Sequence, residues 1–206
     1  MSFPRRLVLA TRNPGKVREV LRICAGWPVE WLTDLDASWP DVEETGGDYL
    51  ANARLKARTA ARALGVPALA DDSGIEVDAL GGGPGPESAR FAGPGATDRE
   101  NLELLLERVR GVPEGRRTAR YRCLAVCVWP DGREVWAEGV CEGRLVLEPR
   151  GTGGFGYDPI FVPEGLDRTM AELAPEEKDA VSHRGRAFRA LGERLGRYNA
   201  PPRTGM

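Results

Sequence analysis

Apolar residues recur along the chain with two spacings, one typical of β-strands and the other of α-helices. Short apolar or β-prone runs predict strands at 6–10, 29–32, 67–79, 120–129, 133–140 and 144–147. Apolar positions at helical spacing predict helices at 17–24, 50–64, 102–109 and 188–195. With 206 residues and 41% hydrophobic content, the chain suits one compact domain or a domain of two lobes, with an ample core.

Two adjacent carboxylates, Asp71 and Asp72, lie within the apolar run at 67–79. Apolar residues precede them, and Ile75 and Val77 alternate with polar neighbours after them, so we expect a buried strand that breaks at the acids and then resumes. Because side chains alternate in extended chain, one carboxylate should face a cleft and the other should brace the loop. Two interpretations stay open here: an acidic site, or a turn, which Asp-Ser-Gly also favours.

Composition narrows the possible partners. Lys plus Arg is 29 and Asp plus Glu is 31, so bulk charge gives no reason to expect nucleic acid binding, and any phosphate must be bound by local groups. No run approaches the roughly 18 apolar residues of a membrane span, and we expect a soluble, cytoplasmic protein with no membrane partner. The four cysteines lack CxxC spacing and are expected to be buried thiols: Cys24, Cys123, Cys127 and Cys141.

Lysine is scarce in this arginine-rich chain, and only Lys16, Lys56 and Lys178 occur. Lysine and arginine differ in reach, hydration and geometry, so a retained lysine indicates a place that needs a compact ammonium group, unless it survived by chance. Lys16 ends the polar loop that starts at Thr11, between a predicted strand and a predicted helix. Such a loop offers backbone N–H groups to an anion, although it lacks the Walker pattern and an ordinary βα turn would look the same.

A second polar cluster follows in the loop at 40–47, which carries Glu43 and Glu44. Carboxylates of this kind suit Mg²⁺, which needs only one or two protein acids besides substrate phosphates, but a solvated loop is the alternative. In the next predicted helix, Asn52 and Lys56 lie one turn apart and share a face.

Later segments carry three further signals. The glycine-rich stretch at 151–159 exposes Phe155, which suits stacking of a flat ring better than a Rossmann phosphate turn. The sole histidine, His183, stands beside Arg184, a setting more typical of a surface or capping residue than of a catalyst. Thr97 with Glu100 predicts a capping box, and the helix that follows is expected to be structural.

Several motifs in order resemble the inosine triphosphate pyrophosphatase family. They are Leu9-Ala10-Thr11-Arg12-Asn13-Pro14-Gly15-Lys16, Glu43-Glu44-Thr45-Gly46, Asn52 with Lys56, Asp71-Asp72-Ser73-Gly74, Gly153-Gly154-Phe155-Gly156-Tyr157-Asp158-Pro159 and Ser182-His183-Arg184. The match spans nearly the whole chain. It implies one α/β domain over residues 1–206, with an elongated mixed central sheet, helices around it, and two lobes flanking a deep cleft.

The resemblance also implies an activity: Mg²⁺-dependent hydrolysis of deaminated purine nucleoside triphosphates (ITP, dITP, XTP) to monophosphate and pyrophosphate, in a homodimer. By motif match, Asp72 would be the general base, and metal would be held by Asp72 with Glu44 or Glu43. The triphosphate would be bound by Thr11, Arg12, Asn13, Pro14, Gly15, Lys16, Asn52, Lys56 and Ser73. The base pocket would consist of Phe155, Gly156, Tyr157, Asp158, Lys178, His183 and Arg184.

One departure from the family pattern is Glu87, which stands where many relatives have an aromatic residue before Ser-Ala-Arg. This puts the local packing in doubt, not the chemistry. Two other functions compete with the one implied: a related pyrophosphatase for other modified nucleotides, and a nucleotide-binding regulator without catalysis.

Overall fold

The computed structural model describes residues 3–44 and 47–198, with side chains described to residue 196. Thr45 and Gly46, part of one family-like motif, lie outside the described residues. The strands in this part of the chain are β1 (Arg6–Leu9), β2 (Glu30–Leu32), β3 (Ala68–Val77), β4 (Thr118–Val128), β5 (Glu134–Leu145) and β6 (Phe161–Pro163). The α-helices are α1 (Pro14–Ile23), α2 (Tyr49–Leu64), α3 (Asp98–Val109), α4 (Pro175–Val181) and α5 (His183–Tyr198).

All six strands join one mixed sheet in the order β2-β1-β3-β4-β5-β6. β1 runs parallel to β2 and β3, and the remaining neighbours pair antiparallel. The β4–β5 hairpin forms as predicted, closed by a hydrogen bond from Trp129 N–H to the Arg133 carbonyl oxygen at 2.9 Å. The predicted strand at 144–147 is wrong as a separate element, because β5 runs without interruption to Leu145.

β3 is continuous through the two acids, so the predicted break at 71–74 is wrong. Every residue from Ala68 to Val77 pairs with β4, including Asp71 opposite Ala125 and Asp72 opposite Leu124. The turn interpretation of this stretch is therefore also wrong. Ladder hydrogen bonds to β4 along the whole length outweigh the local turn preference of Asp-Ser-Gly.

Helices cover both faces of the first half of the sheet. On one face, Leu69 and Cys127 pack with residues of α1 and α5 such as Val20 and Phe188. On the other face, Val126 of β4 packs with the alanine-rich side of α2, where Ala57 is among the fully buried residues. Small side chains let α2 lie close to the sheet. Like helix α2, the predicted helices α1, α3 and α5 are confirmed, as is the Thr97 capping box of α3.

The second half of the sheet builds a separate core. Beyond the acids, β3, β4 and β5 carry the apolar residues Ile75, Val77, Tyr121 and Leu145, which pack with Ile160 and Phe161 at the start of β6 and with residues of α3. The predicted α/β class is confirmed, with a mixed central sheet, surrounding helices and two lobes beside a cleft. The four cysteines are buried free thiols, as predicted. No helix in the described part of the chain is both long and apolar enough to cross a membrane.

The site owes its position to the different lengths of β1 and β3. Val8 and Leu9 are the last residues of β1 to pair with β3, opposite Ala68 and Leu69. On that side, no strand in residues 3–44 or 47–198 pairs with β3 between Asp71 and Gly74. This open edge exposes both faces of β3 to one cleft.

Candidate active site

A cleft of about 320 Å³ lies between the lobes at the open edge of β3, within the size range of small-molecule sites. Most of the predicted site residues line it: Thr11, Arg12, Asn13, Lys16, Glu44, Lys56, Asp72, Ser73, Phe155, Gly156, Tyr157, Asp158, Lys178, His183 and Arg184. The four that do not line it are Pro14, Gly15, Glu43 and Asn52. Of the two neighbouring acids, Glu44 thus reaches the cleft and Glu43 is exposed elsewhere.

The loop before α1 is shaped by helix capping. The Asn13 side chain caps the helix by accepting a hydrogen bond from the Lys16 backbone N–H at 3.1 Å, and Pro14 occupies the first turn. The aromatic ring of Phe155 lies on Gly15, where a β-carbon would meet it at 2.7 Å. A glycine is therefore needed at position 15 for the glycine-rich loop to close onto this helix.

Asp71 and Asp72 point to opposite faces of β3, as alternation predicts. Asp71 points toward α1 and α5, where its carboxylate lies 3.1 Å from Lys16 Nζ and 3.2 Å from an Arg184 nitrogen. Burial favours the neutral acid, but Lys16 and Arg184 prevail and hold the pKa of Asp71 below its usual value. Asp71 does not line the cleft and braces the cations that do.

Asp72 points toward α2 and lines the cleft. Its Oδ2 accepts a hydrogen bond from Asn52 Nδ2 at 2.9 Å, and its Oδ1 accepts one from the Ser73 backbone N–H at 3.0 Å. Asn52 thus lies behind the acid and orients it. Burial raises the pKa of Asp72, although Lys56 and Lys16 oppose the shift. Two adjacent carboxyl groups with pKa values shifted in opposite directions are typical of sites where one acid is structural and the other takes part in chemistry.

Lys56 links the acidic loop to Asp72. Its Nζ lies 3.0 Å from Glu44 Oε1 and 3.7 Å from Asp72 Oδ1, so the two carboxylates converge on one point. Burial disfavours the charged amine, but Asp72 and Glu44 raise the pKa of Lys56 above its usual value, and it stays protonated.

This pair of acids fits a hard divalent cation that also binds phosphate. No group of three or more His, Cys, Asp or Glu side chains that could hold a metal occurs among the described residues. Mg²⁺ commonly takes one or two carboxylates, several waters and substrate phosphates, so Glu44 and Asp72 would be enough.

A chain of ion pairs centred on Glu19 lies at the other end of the cleft. The sequence analysis missed Glu19. Glu19 accepts hydrogen bonds from Arg184 and contacts Lys178, each at 2.6 Å, and Lys178 also pairs with Asp158. Asp158 in turn accepts from the Phe155 backbone N–H at 2.9 Å. Burial favours the neutral form of Glu19, but Arg184 and Lys178 lower its pKa. The sequence does carry a signal, since Glu19 follows Lys16 by one helical turn on a buried face.

His183 is buried in this region, so its interpretation as a surface residue is wrong. Its ring stacks on Tyr121, with centroids 4.5 Å apart and planes 8° from parallel. Ser182, not His183, caps α5 by accepting from the Gly185 N–H. Burial, with Arg184 and Lys178 nearby, lowers the pKa of His183 well below its usual value, and the imidazole is neutral.

Other lining residues come from the second lobe and the acidic loop, and the sequence analysis did not single them out: Trp39, Arg90, Asp98, Asn101 and Tyr121. Asp98 accepts a hydrogen bond from the Gly156 backbone N–H at 2.9 Å. The first residue of α3, a helix expected to be structural, therefore also holds the glycine-rich loop.

A sequence model of the Ham1 family matches residues 7–194. The chain belongs to the Ham1 family. Among its relatives, a dITP/XTP pyrophosphatase of Symbiobacterium thermophilum is 53% identical over 191 residues, covering 93% of this chain and 95% of the relative. A protein of the same name from Streptomyces coelicolor is 51% identical over 189 residues, covering 90% of this chain and 94% of the relative.

Solved structures of the Ham1 family have the same fold. A HAM1 protein from Coxiella burnetii superposes with a TM-score of 0.83 at 41% identity, covering 92% of this chain and 98% of that one. A nucleoside-triphosphatase described as a dITP/XTP pyrophosphatase, from Mycobacterium abscessus, gives a TM-score of 0.73 at 45% identity, covering 90% and 98%. The family resemblance stated from the motifs is confirmed.

Proposed function

We propose that this Ham1-family chain is a nucleotide hydrolase that converts dITP, ITP and XTP to the monophosphate and pyrophosphate. The match to the relatives named dITP/XTP pyrophosphatase covers more than nine-tenths of each relative's length, which supports the same activity here. The observation that carries the proposal is the division of one cleft into two ends. One end brings together Lys16, Lys56, Glu44 and Asp72, and the other brings together aromatic side chains and buried hydrogen-bond donors.

At the first end, we assign the binding of the triphosphate to the α1 loop (Thr11 to Lys16), Lys56 and Ser73. Backbone N–H groups at a helix start and compact ammonium groups suit phosphate oxygens. Glu44 and Asp72 would hold Mg²⁺, with Glu43 as a further candidate on the same loop. When bound, Mg²⁺ supplies charge neutralisation at the phosphate oxygens.

Asp72 is the general base in this proposal. Its raised pKa brings it closer to the operating pH than an ordinary aspartate, which favours proton abstraction from water. Asn52 and the Ser73 N–H fix its orientation, so the base is preorganised for attack of water on the α-phosphorus. The pyrophosphate then leaves toward Lys16 and Lys56, and no covalent nucleophile is required.

At the second end, we assign the purine to Phe155, Gly156, Tyr157, Asp158, Lys178, His183 and Arg184. Hypoxanthine and xanthine present a carbonyl acceptor at the purine 6-position, and adenine presents an amino donor. Arg184 is buried and is a donor only, so an adenine amino group there would leave donors unpaired. This predicts rejection of ATP. The family resemblance further implies a cytoplasmic homodimer. Size-exclusion chromatography with light scattering tests the dimer by measuring its molar mass.

The direct test is a screen of purified protein against nucleoside triphosphates with Mg²⁺, measuring pyrophosphate and orthophosphate separately. We expect pyrophosphate from dITP, ITP and XTP, and little product from ATP. Preference for another modified nucleotide would indicate the related pyrophosphatase. Nucleotide binding without release of either phosphate would indicate a regulator, and orthophosphate release would contradict attack at the α-phosphorus.

A further inference from the structure

The cleft is lined by cations that differ in how well their charges are already compensated. Among the described residues these are Arg12, Lys16, Lys56, Arg90, Lys178 and Arg184. All except Arg90 have a carboxylate oxygen within 3.1 Å. The nearest carboxylate to Arg90 is 3.6 Å away, on Glu87, whose side chain is 60% exposed. Exposed pairs of this kind are weak and easily exchanged for a better anion.

Arg90 stands beside the phosphate end of the cleft. Its NH2 nitrogen donates to the Glu44 backbone carbonyl oxygen at 3.3 Å, and the Glu44 side chain contacts Lys56 at 3.0 Å. Arg90 and Lys56 therefore flank one residue from opposite lobes.

The charges around Glu44 indicate that Arg90 is available to bind phosphate. Lys56 is shared between Glu44 and Asp72, and this cluster carries one net negative charge. Because Lys56 already pairs with both acids, its charge is only partly available to an anion, and a Mg²⁺ held by Glu44 and Asp72 would offset these acids without adding a hydrogen-bond donor for the terminal phosphates. Arg90 is the neighbouring cation with spare charge, and its planar guanidinium matches phosphate oxygens in a bidentate way.

The backbone under Arg90 is rigid. Arg90 ends a short 3₁₀ helix, Gly85–Arg90, that is anchored by Ser88, whose hydroxyl oxygen accepts from the Ile75 N–H at 2.9 Å. The Tyr157 hydroxyl donates to the Ser88 carbonyl oxygen at 2.7 Å. At Gly74, a β-carbon would overlap the Gly85 carbonyl oxygen, so this helix packs directly on β3 next to Asp72 and Ser73. The backbone that carries Arg90 is thus held from several sides, and its half-buried side chain is the part free to reorient toward a ligand.

We propose that Arg90 is a substrate-binding residue that contacts the terminal pyrophosphoryl group, the β- and γ-phosphates, and stabilises it as it leaves. This inference rests on the proposed function and adds a contact from the second lobe. It also explains how Glu87 is accommodated: the carboxylate holds the guanidinium at the cleft rim until phosphate replaces it.

The test compares Arg90→Gln, Arg90→Lys and the wild type, using dITP as substrate and inorganic pyrophosphate and IMP as inhibitors at saturating Mg²⁺. We expect Arg90→Gln to raise KM for dITP and Ki for pyrophosphate by about 10- to 100-fold, the usual effect of losing charge-assisted hydrogen bonds. Ki for IMP, which lacks the β- and γ-phosphates, should change by less than about threefold. Arg90→Lys should fall between the two.

Arg99→Gln is the matched control, because it removes the same charge from an exposed α3 side chain of the same lobe outside the cleft. It should leave all constants unchanged. Glu87→Gln should leave pyrophosphate binding unchanged or tighten it, since Arg90 loses a competing carboxylate.

Two results would overturn the inference while leaving the proposed function intact. One is a wild-type Ki for pyrophosphate in Arg90→Gln. The other is an equal rise in Ki for pyrophosphate and IMP, which would mean that Arg90 only positions Glu44 or the fold. If the wild type itself releases no pyrophosphate from dITP, the proposed function fails instead.

Discussion

The two faces of β3 carry adjacent acids in opposite circumstances. Asp71 is held by Lys16 and Arg184 at 3.1 and 3.2 Å, and its pKa is lowered. Asp72 has its nearest cation, Lys56, at 3.7 Å, and burial raises its pKa. On one face Asp71 is paired with two cations, and on the other face Asp72 keeps a carboxylate available in the cleft. The difference teaches that burial alone does not decide the state of an acid; the number and distance of its cations do.

Asp72→Asn should give the largest effect on activity. It removes the proposed base and a metal ligand while keeping shape and size. We expect turnover of dITP to fall by at least about 10² to 10⁴. The melting temperature should stay close to that of the wild type. Pyrophosphate release and thermal unfolding measure the two quantities, and activity within tenfold of wild type would remove Asp72 from the base role.

Asp71→Asn tests the other face and should act on stability. Removing this charge leaves Lys16 and Arg184 without their shared carboxylate in a buried setting, which typically costs about 3 to 5 kcal/mol. Urea unfolding measures the loss. If Asp71→Asn were as stable as the wild type, the network on this face would not brace the fold.

The same face predicts a pH dependence of stability. Because the pKa of Asp71 is lowered on folding, its contribution is present above its unfolded value of about 3.9 and is lost as pH falls toward the folded value. We expect the wild type to lose stability steeply below about pH 4 and Asp71→Asn to show a shallower acid limb. Parallel acid limbs in the two proteins would assign acid sensitivity to other carboxylates.

Arg184→Ala should lower the selectivity for ITP over ATP, and a loss of stability would not account for that change. We expect kcat/KM for ITP to fall much more than for ATP, by about 10- to 100-fold in their ratio, because Arg184 donates to the 6-carbonyl in the proposed pose. The ratio is measured on one preparation, so a smaller folded fraction affects both substrates equally. An unchanged ratio would assign Arg184 to phosphate binding or to the ionic network alone.

Lys16→Arg and Lys56→Arg should have the smallest effects, because charge is kept. Each lysine lies in a narrow space against a carboxylate, and its side chain is only 14% exposed. A planar, bulkier guanidinium does not fit there, and we expect kcat/KM to fall by about tenfold or more. Arg58→Lys, on the solvent side of α2, is the control. Normal turnover in both variants would mean that these lysines were retained by chance.

Local sequence was enough for most of the elements, although not for β6 and α4, and for most of the cleft. Apolar spacing placed α1, α2, α3 and α5, and capping chemistry placed the start of α3 at Thr97. The order of short motifs indicated the family and predicted fifteen of the residues that line the cleft. Phosphate and purine binding require particular side chains on particular loops.

Tertiary structure alone decided how the acids are used. Residues 71–74 favour a turn locally, and only pairing with β4 keeps them in a strand. The early end of β1 then opens the edge of β3 to the cleft. Tyr121, Arg90 and Asp98 reach the site from elements far apart along the chain, and no periodicity or short motif encodes such contacts. A charge pair or a stacked ring is defined by distance in space, which the chain fixes only when both lobes have folded.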